Sequence, residues 1–169
     1  KLNISYDEGK NEVERLLKSA CDYRMVSDVP VGVFLSGGID SSTVAALLQH
    51  NRKEKLKTFT IGFNEGNNEA PFAKEIANYL GTDHTEYYCT TKEAQKIIRE
   101  LPFYYDEPFA DSSAIPTSLV CKKAKEKVTV ALSADAGDEI FAGYTIHKTF
   151  QNHISVINRI PQYFYKPLS

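Results

Sequence analysis

Seven consecutive residues, Ser36-Gly37-Gly38-Ile39-Asp40-Ser41-Ser42, combine side chains suited to holding a chain of phosphates. Two adjacent glycines let a backbone turn sharply and approach a ligand closely. A helix starting at their end would offer unpaired N–H groups and the positive end of its dipole to an anion. Ser36, Ser41 and Ser42 add hydroxyl donors. Asp40 stands out, because a carboxylate repels phosphate unless a divalent cation lies between them. Hard cations such as Mg²⁺ take carboxylate and phosphate oxygens together, so Asp40 reads as a metal ligand. The spacing is neither G-x-x-x-x-G-K-[ST] nor G-x-G-x-x-G. The plainer alternative is a turn in which Asp and Ser cap a helix.

A second cluster packs Asp135, Asp138 and Glu139 into five positions. Three carboxylates so close repel one another unless they meet cations: a metal, a substrate ammonium, or both. The plainer reading is an acidic helix start favoured by the dipole. Asp106, Glu107 and Asp111 read as solvated loop acids. Ser112 and Ser113 could donate to a substrate or cap a helix, and His84 reads as structural.

Both clusters need elements to position them. Residues 8–24 carry apolar side chains at three- and four-residue steps, which predicts a helix, and Val29-Pro30 breaks it. Val31–Leu35 is an unalternating apolar run, suited to a strand buried on both faces. A helix is expected over 40–50, a strand over 58–63 and a helix over 69–80 closed by Gly81. A strand over 84–89, helices over 91–101 and 116–125, and a strand over 128–132 follow. From Thr145 onward Ile146, Phe150, Ile154, Ile157 and Ile160 continue a helical pattern. Strand–helix alternation at this spacing predicts an α/β fold, a doubly wound parallel sheet with helices on both faces. Ligand sites then belong at the carboxyl ends of the strands.

Composition limits the function classes. The chain has 169 residues, with 20 Lys+Arg against 22 Asp+Glu and a formal net charge of -2. That fits one domain and gives no overall basic excess for a nucleic-acid partner. No apolar run nears the ~20 residues of a membrane span. Cys21, Cys89 and Cys121 are too far apart for a C-x-x-C site and read as small apolar fillers; an odd count fits a reducing, cytoplasmic setting. The chain starts at Lys1 rather than Met, and the expectation is a partial domain spanning 1–169.

The loop with its flanking strand and helix resembles the pyrophosphate loop of the N-type ATP pyrophosphatases, an adenine nucleotide alpha-hydrolase-like fold. Four segments narrow the likeness to the glutamine-hydrolysing asparagine synthetase family. Asp28-Val-Pro-Val-Gly-Val-Phe-Leu35 leads into the loop as it does there. Thr58-Phe-Thr-Ile-Gly-Phe63 is similar to the family's T-F-S-I-G-F strand. Tyr105 to Thr117 resembles the stretch before the family's next helix. Leu132 to Tyr144 resembles L-S-G-x-G-x-D-E-x-F-x-G-Y. Ala134, Ala136 and Ala142 depart from it, standing where the family often has glycine; the expectation is that Ala134 keeps an ordinary backbone.

The resemblance implies ATP and Mg²⁺. ATP would lie on Leu35, Ser36, Gly37, Gly38, Asp40, Ser41 and Ser42, with the backbone near Ile61 meeting adenine and Ser133 and Ala134 lining the nucleotide. Asp40 and Asp138 would serve the metal. Asp135 and Asp138 would be catalytic, and Asp138, Glu139 and Tyr144 would meet the substrate. The implied reaction adenylates the side-chain carboxylate of aspartate; ammonia from glutamine then gives asparagine, AMP and pyrophosphate. In the family a cysteine-bearing N-terminal domain releases the ammonia, and a later segment carries a needed lysine. These 169 residues alone are therefore not expected to make asparagine from glutamine. Homodimerisation of the full-length protein is left open. So are two rivals: a related polysaccharide-pathway amidotransferase or β-lactam-forming synthetase, and a non-catalytic ATP-binding module.

Overall fold

The computed structural model describes residues 3–50, 52–64, 68–107 and 110–157. Two compact units divide the chain, Lys1–Ala134 and Asp135–Ser169. The first holds helices α1 (Tyr6–Arg24), α2 (Ile39–Gln49), α3 (Ala70–Leu80), α4 (Thr91–Tyr104) and α5 (Ala114–Ala124). Its strands are β1 (Val31–Phe34), β2 (Lys57–Phe63), β3 (Asp83–Cys89) and β4 (Val130–Leu132). The second holds α6 (Gly137–Phe141) and α7 (Thr145–Ile157).

All strand pairs are parallel, in the order β3-β2-β1-β4. Alternate residues of β1 and β2 point to opposite faces, and both faces are covered. Val33 and Leu35 pack with Cys21 of α1, Ala45 and Leu48 of α2, and Ala73 and Ala77 of α3. Phe34, Phe59 and Ile61 face Val120 and Ala124 of α5. Leu119 of α5 joins Ile97 of α4 and Cys89 at the end of β3. This two-sided burial explains the unalternating apolar run of β1. The chain steps outward through β1, β2 and β3 by way of α2 and α3 on one face. It then crosses by α4 and α5 on the other face to β4, on the far side of β1. The direction of winding therefore reverses between β1 and β4.

Local chemistry sets the element boundaries. Ser5 and Glu8 form a capping box that starts α1, and Thr90 and Glu93 form another at α4. Gly81 takes φ 72° after α3, and the Thr82 N–H reaches Ala77 O at 3.0 Å. α5 begins at Ala114, two residues before the predicted start, because Pro116 falls in the first turn, where no N–H is needed. α4 runs three residues past Leu101, through Pro102. β4 is shorter than predicted. The Val128 N–H is spent on Ala124 O, closing α5, and pairing with β1 starts only at Val130.

Cys21 and Cys89 are buried, as fillers should be, but Cys121 is exposed. Leu119, Val120 and Ala124 occupy the sheet-facing side of α5 and turn Cys121 outward. Among the described residues no helix is long and apolar enough to cross a membrane. The helical pattern from Thr145 holds to Ile157; Ile160 and the Pro-bearing tail lie outside the described residues.

His84 has a structural place at the amino end of β3, level with Thr58 of β2. Its Nδ1 lies 2.9 Å from Thr58 Oγ1, which lies 2.9 Å from Thr82 Oγ1. Its Nε2 is buried without a protein partner. Burial holds the imidazole below its ordinary range, so the folded state favours the neutral ring. The unfolded chain binds the proton at higher pH, so His84 costs stability as pH falls below about 6.5. Urea unfolding of His84→Asn, which keeps a polar atom near the Nδ1 position, is expected to lose less stability between pH 7 and pH 5 than the unaltered chain does.

Candidate functional site

Leu35 brings β1 to its carboxyl end with its side chain buried and its N–H bonded to Phe59 O at 2.9 Å. The loop then turns at Gly37, with φ 86°. A side chain here would be strained, and its Cβ would stand 2.9 Å from Phe72 Cβ and 3.0 Å from the Ala73 N. The turn is thus seated on the first turn of α3. The sequence marks the glycine pair but not that seat.

Gly38 precedes α2 in extended conformation, and no side chain caps the helix. Ser42 is the first residue whose N–H finds an intrahelical carbonyl, Gly38 O at 3.0 Å. The N–H groups of Ile39, Asp40 and Ser41 have no partner within the helix, as at any helix start. Serines fix the loop in this form. Ser41 is buried; its Oγ accepts from the Ser36 N–H at 3.2 Å and donates to Gly38 O at 3.2 Å. Ser36 Oγ lies 3.0 Å from Ser41 Oγ and accepts from the Gly38 N–H at 3.2 Å. Ser42 Oγ donates to Gly38 O at 2.6 Å. Ser41 and Ser42 therefore spend hydroxyl protons inside the loop, while Asp40 stands half-exposed on the first turn of α2.

Ser133 and Ala134 follow Leu132, which is level with Val33 in the β1–β4 pair. The strand ends leading to the loop and to this dipeptide are thus neighbours, at the point where the winding reverses. In open α/β sheets ligands bind in the crevice outside such a switch point. Ala134 keeps a backbone outside the left-handed region, as expected from the sequence. Ile61 is half-buried near the carboxyl end of β2, level with Tyr87.

The remaining candidates lie in the second unit. Asp138 and Glu139 sit in the first turn of α6, just after Asp135. The Tyr144 hydroxyl donates to Glu139 Oε1 at 2.7 Å. That bond holds the Glu139 carboxyl below its ordinary range and pushes the Tyr144 phenol up to about 12. Ala136 and Ala142, at either end of α6, both take positive φ, 74° and 56°. Both are among the positions where the resemblance leads to an expectation of glycine, and the left-handed region costs an L-residue about 1–2 kcal/mol.

The loop acids before α5 are mainly structural or exposed. Asp111 Oδ1 accepts from the Ser113 N–H at 2.8 Å, which holds its carboxyl low and shapes the turn into α5. Asp106, Glu107 and Ser112 are exposed; Pro108 and Phe109 of the same segment lie outside the described residues. Among the described residues no group of three or more His, Cys, Asp or Glu is arranged to hold a metal ion.

A parallel, two-faced sheet with a glycine–serine loop at its switch point defines an adenine nucleotide alpha-hydrolase-like α/β fold. The likeness to an NH3-dependent NAD synthetase from Campylobacter jejuni agrees, with a TM-score of 0.53 and 19% identity over 79% of this chain and 60% of that one. The family model described as asparagine synthase matches residues 12–166, and the chain belongs to that family. Asparagine synthetase 1 (glutamine-hydrolysing) of Bacillus subtilis is 40% identical over 84% of this chain and 22% of its own length. Asparagine synthetase B (glutamine-hydrolysing) of Escherichia coli is 34% identical over 80% of this chain and 27% of its own. A Methanocaldococcus jannaschii protein provisionally named asparagine synthetase 2 (glutamine-hydrolysing) is 45% identical over 84% of this chain and 28% of its own. The chain spans about a quarter of the length of these relatives.

Glycine at position 136 or 142 would relieve the left-handed strain and lose part of the gain to a freer unfolded chain. Ala136→Gly and Ala142→Gly are each expected to stabilise the second unit by about 0.5–1 kcal/mol. Hydrogen exchange of amides in α6 and α7 measures this; slower exchange is the expected result.

Proposed function

We propose that this chain is the nucleotide-binding part of a cytoplasmic, glutamine-hydrolysing asparagine synthetase. Its work is the ATP-dependent activation of aspartate. The observation that carries the reading is the uncapped start of α2 beneath the Ser36–Ser42 loop, beside the end of β4. Backbone N–H groups there suit the phosphates of ATP, and the internal serine bonds keep those groups aimed before the ligand arrives. The backbone near Ile61 would meet adenine, and Ser133 with Ala134 would line the nucleotide.

Mg²⁺ fits the donor chemistry. Asp40 offers a half-exposed hard oxygen on the first turn of α2, and such a cation needs few protein ligands when phosphates supply the rest. Asp40 and Asp138 would hold it, and it would neutralise charge on the phosphate oxygens. Asp135 and Asp138 would act on the reacting groups, and Asp138 and Glu139 would attract the ammonium of aspartate. Tyr144, bonded to Glu139, fixes that carboxylate's direction.

In the reaction, an oxygen of the aspartate side-chain carboxylate attacks the α phosphorus of ATP, and pyrophosphate leaves. Ammonia, derived from glutamine, then attacks the acyl carbon; AMP leaves and a proton is released, giving asparagine. The chain's own contribution is alignment and charge balance, terms able to supply most of a phosphoryl-transfer barrier.

Asp40→Asn in the full-length protein is expected to cut aspartate-dependent pyrophosphate release by at least about 100-fold, the scale seen when one transition-state charge partner is lost. Circular dichroism should report an unchanged fold. Retained turnover would remove Asp40 from the metal site.

A further inference from the structure

We infer that Gly143 is a positioning residue: its missing side chain is the space in which the Asp138 carboxylate lies. The Gly143 N–H donates to Asp138 O at 3.0 Å, which closes the last turn of α6 and brings the two residues together. A Cβ built on Gly143 would overlap Asp138 Oδ1 outright and would stand 2.9 Å from Asp138 Cγ. Its backbone gives no reason for glycine, since the positive-φ glycines among the described residues are Gly37 and Gly81. The left-handed positions around α6 belong to Ala136 and Ala142 instead. What a side chain at 143 would meet is therefore the neighbouring carboxylate. Any side chain there must turn Asp138 away or open the end of α6.

The catalytic consequence rests on the reading above that Asp138 serves the reaction; the packing relation does not. The sign of a stability change separates the two. Where φ is ordinary and space is free, glycine to alanine stabilises by restricting the unfolded chain. Gly143→Ala is therefore expected to lower the melting temperature of the unaltered chain by a few degrees. In an Asp138→Ala background, with the carboxylate gone, the same change should be neutral or raise it. An equal loss in both backgrounds would overturn the proposal.

In the full-length protein, Gly143→Ala should lower kcat for aspartate-dependent pyrophosphate release by about 10–100-fold, the cost of misplacing one group by about an ångström. The KM for ATP should rise in step with that of Asp138→Ala, since Asp138 is also read as a ligand of the ATP-bound cation. Full kcat in Gly143→Ala alongside an inactive Asp138→Ala would also overturn the positioning role. If Asp138→Ala is itself active, the catalytic reading of Asp138 fails, and the melting comparison still decides the place of Gly143.

Discussion

The unpaired N–H groups at the start of α2 are the constraint around which the first unit is organised. Every helix leaves such groups, and a side chain one residue earlier takes one of them at α1 and at α4. At α2 that residue is Gly38, which has none to give. The serines that might have capped the helix are turned onto one another and onto Gly38 O. A helix start alone favours an anion by about 0.3–1 kcal/mol at an exposed site. Micromolar affinity requires about 8 kcal/mol. The difference must come from several directed donors and from a cation, which is why the pre-set loop and Asp40 belong in one account.

The sheet supplies the rest of that arrangement. β1 is buried on both faces, so its end is fixed by packing rather than by the loop. β4 pairs with it on the side where no earlier strand lies. The loop is further held by α3, whose first turn leaves no room for a side chain at Gly37. Three elements distant in sequence thus converge on one short turn. The second unit carries a different economy. Two alanines hold left-handed backbone on either side of α6, so the acidic segment keeps its form against a local cost.

Most of the first unit was legible from residues alone, because period and punctuation agree there. Pro30, Gly38 and Gly81 bound the elements, and apolar spacing separates strand from helix. The limits of α4, α5 and β4 were read less well. Pro116 was read as the first residue of α5 but lies inside its first turn, and Val128 completes α5 although its type suits a strand. Cys121 looked like a core residue by type, and only helix phase turns it outward. The loop was recognisable because its glycines and Asp40 are adjacent in sequence. The seat of Gly37 on Phe72 and Ala73, and the space at Gly143, were not. Both are contacts created by folding, and neither leaves a mark beyond a glycine.

The central claim is that the unpaired N–H groups at the start of α2, those of Ile39, Asp40 and Ser41, receive the phosphates. Amide chemical shifts of the ¹⁵N-labelled chain, followed on titration with inorganic pyrophosphate and Mg²⁺, test it directly. The account predicts a saturable response concentrated at Ile39, Asp40 and Ser41. Saturable binding that leaves those three amides unmoved, or no saturable response at millimolar pyrophosphate, would contradict it.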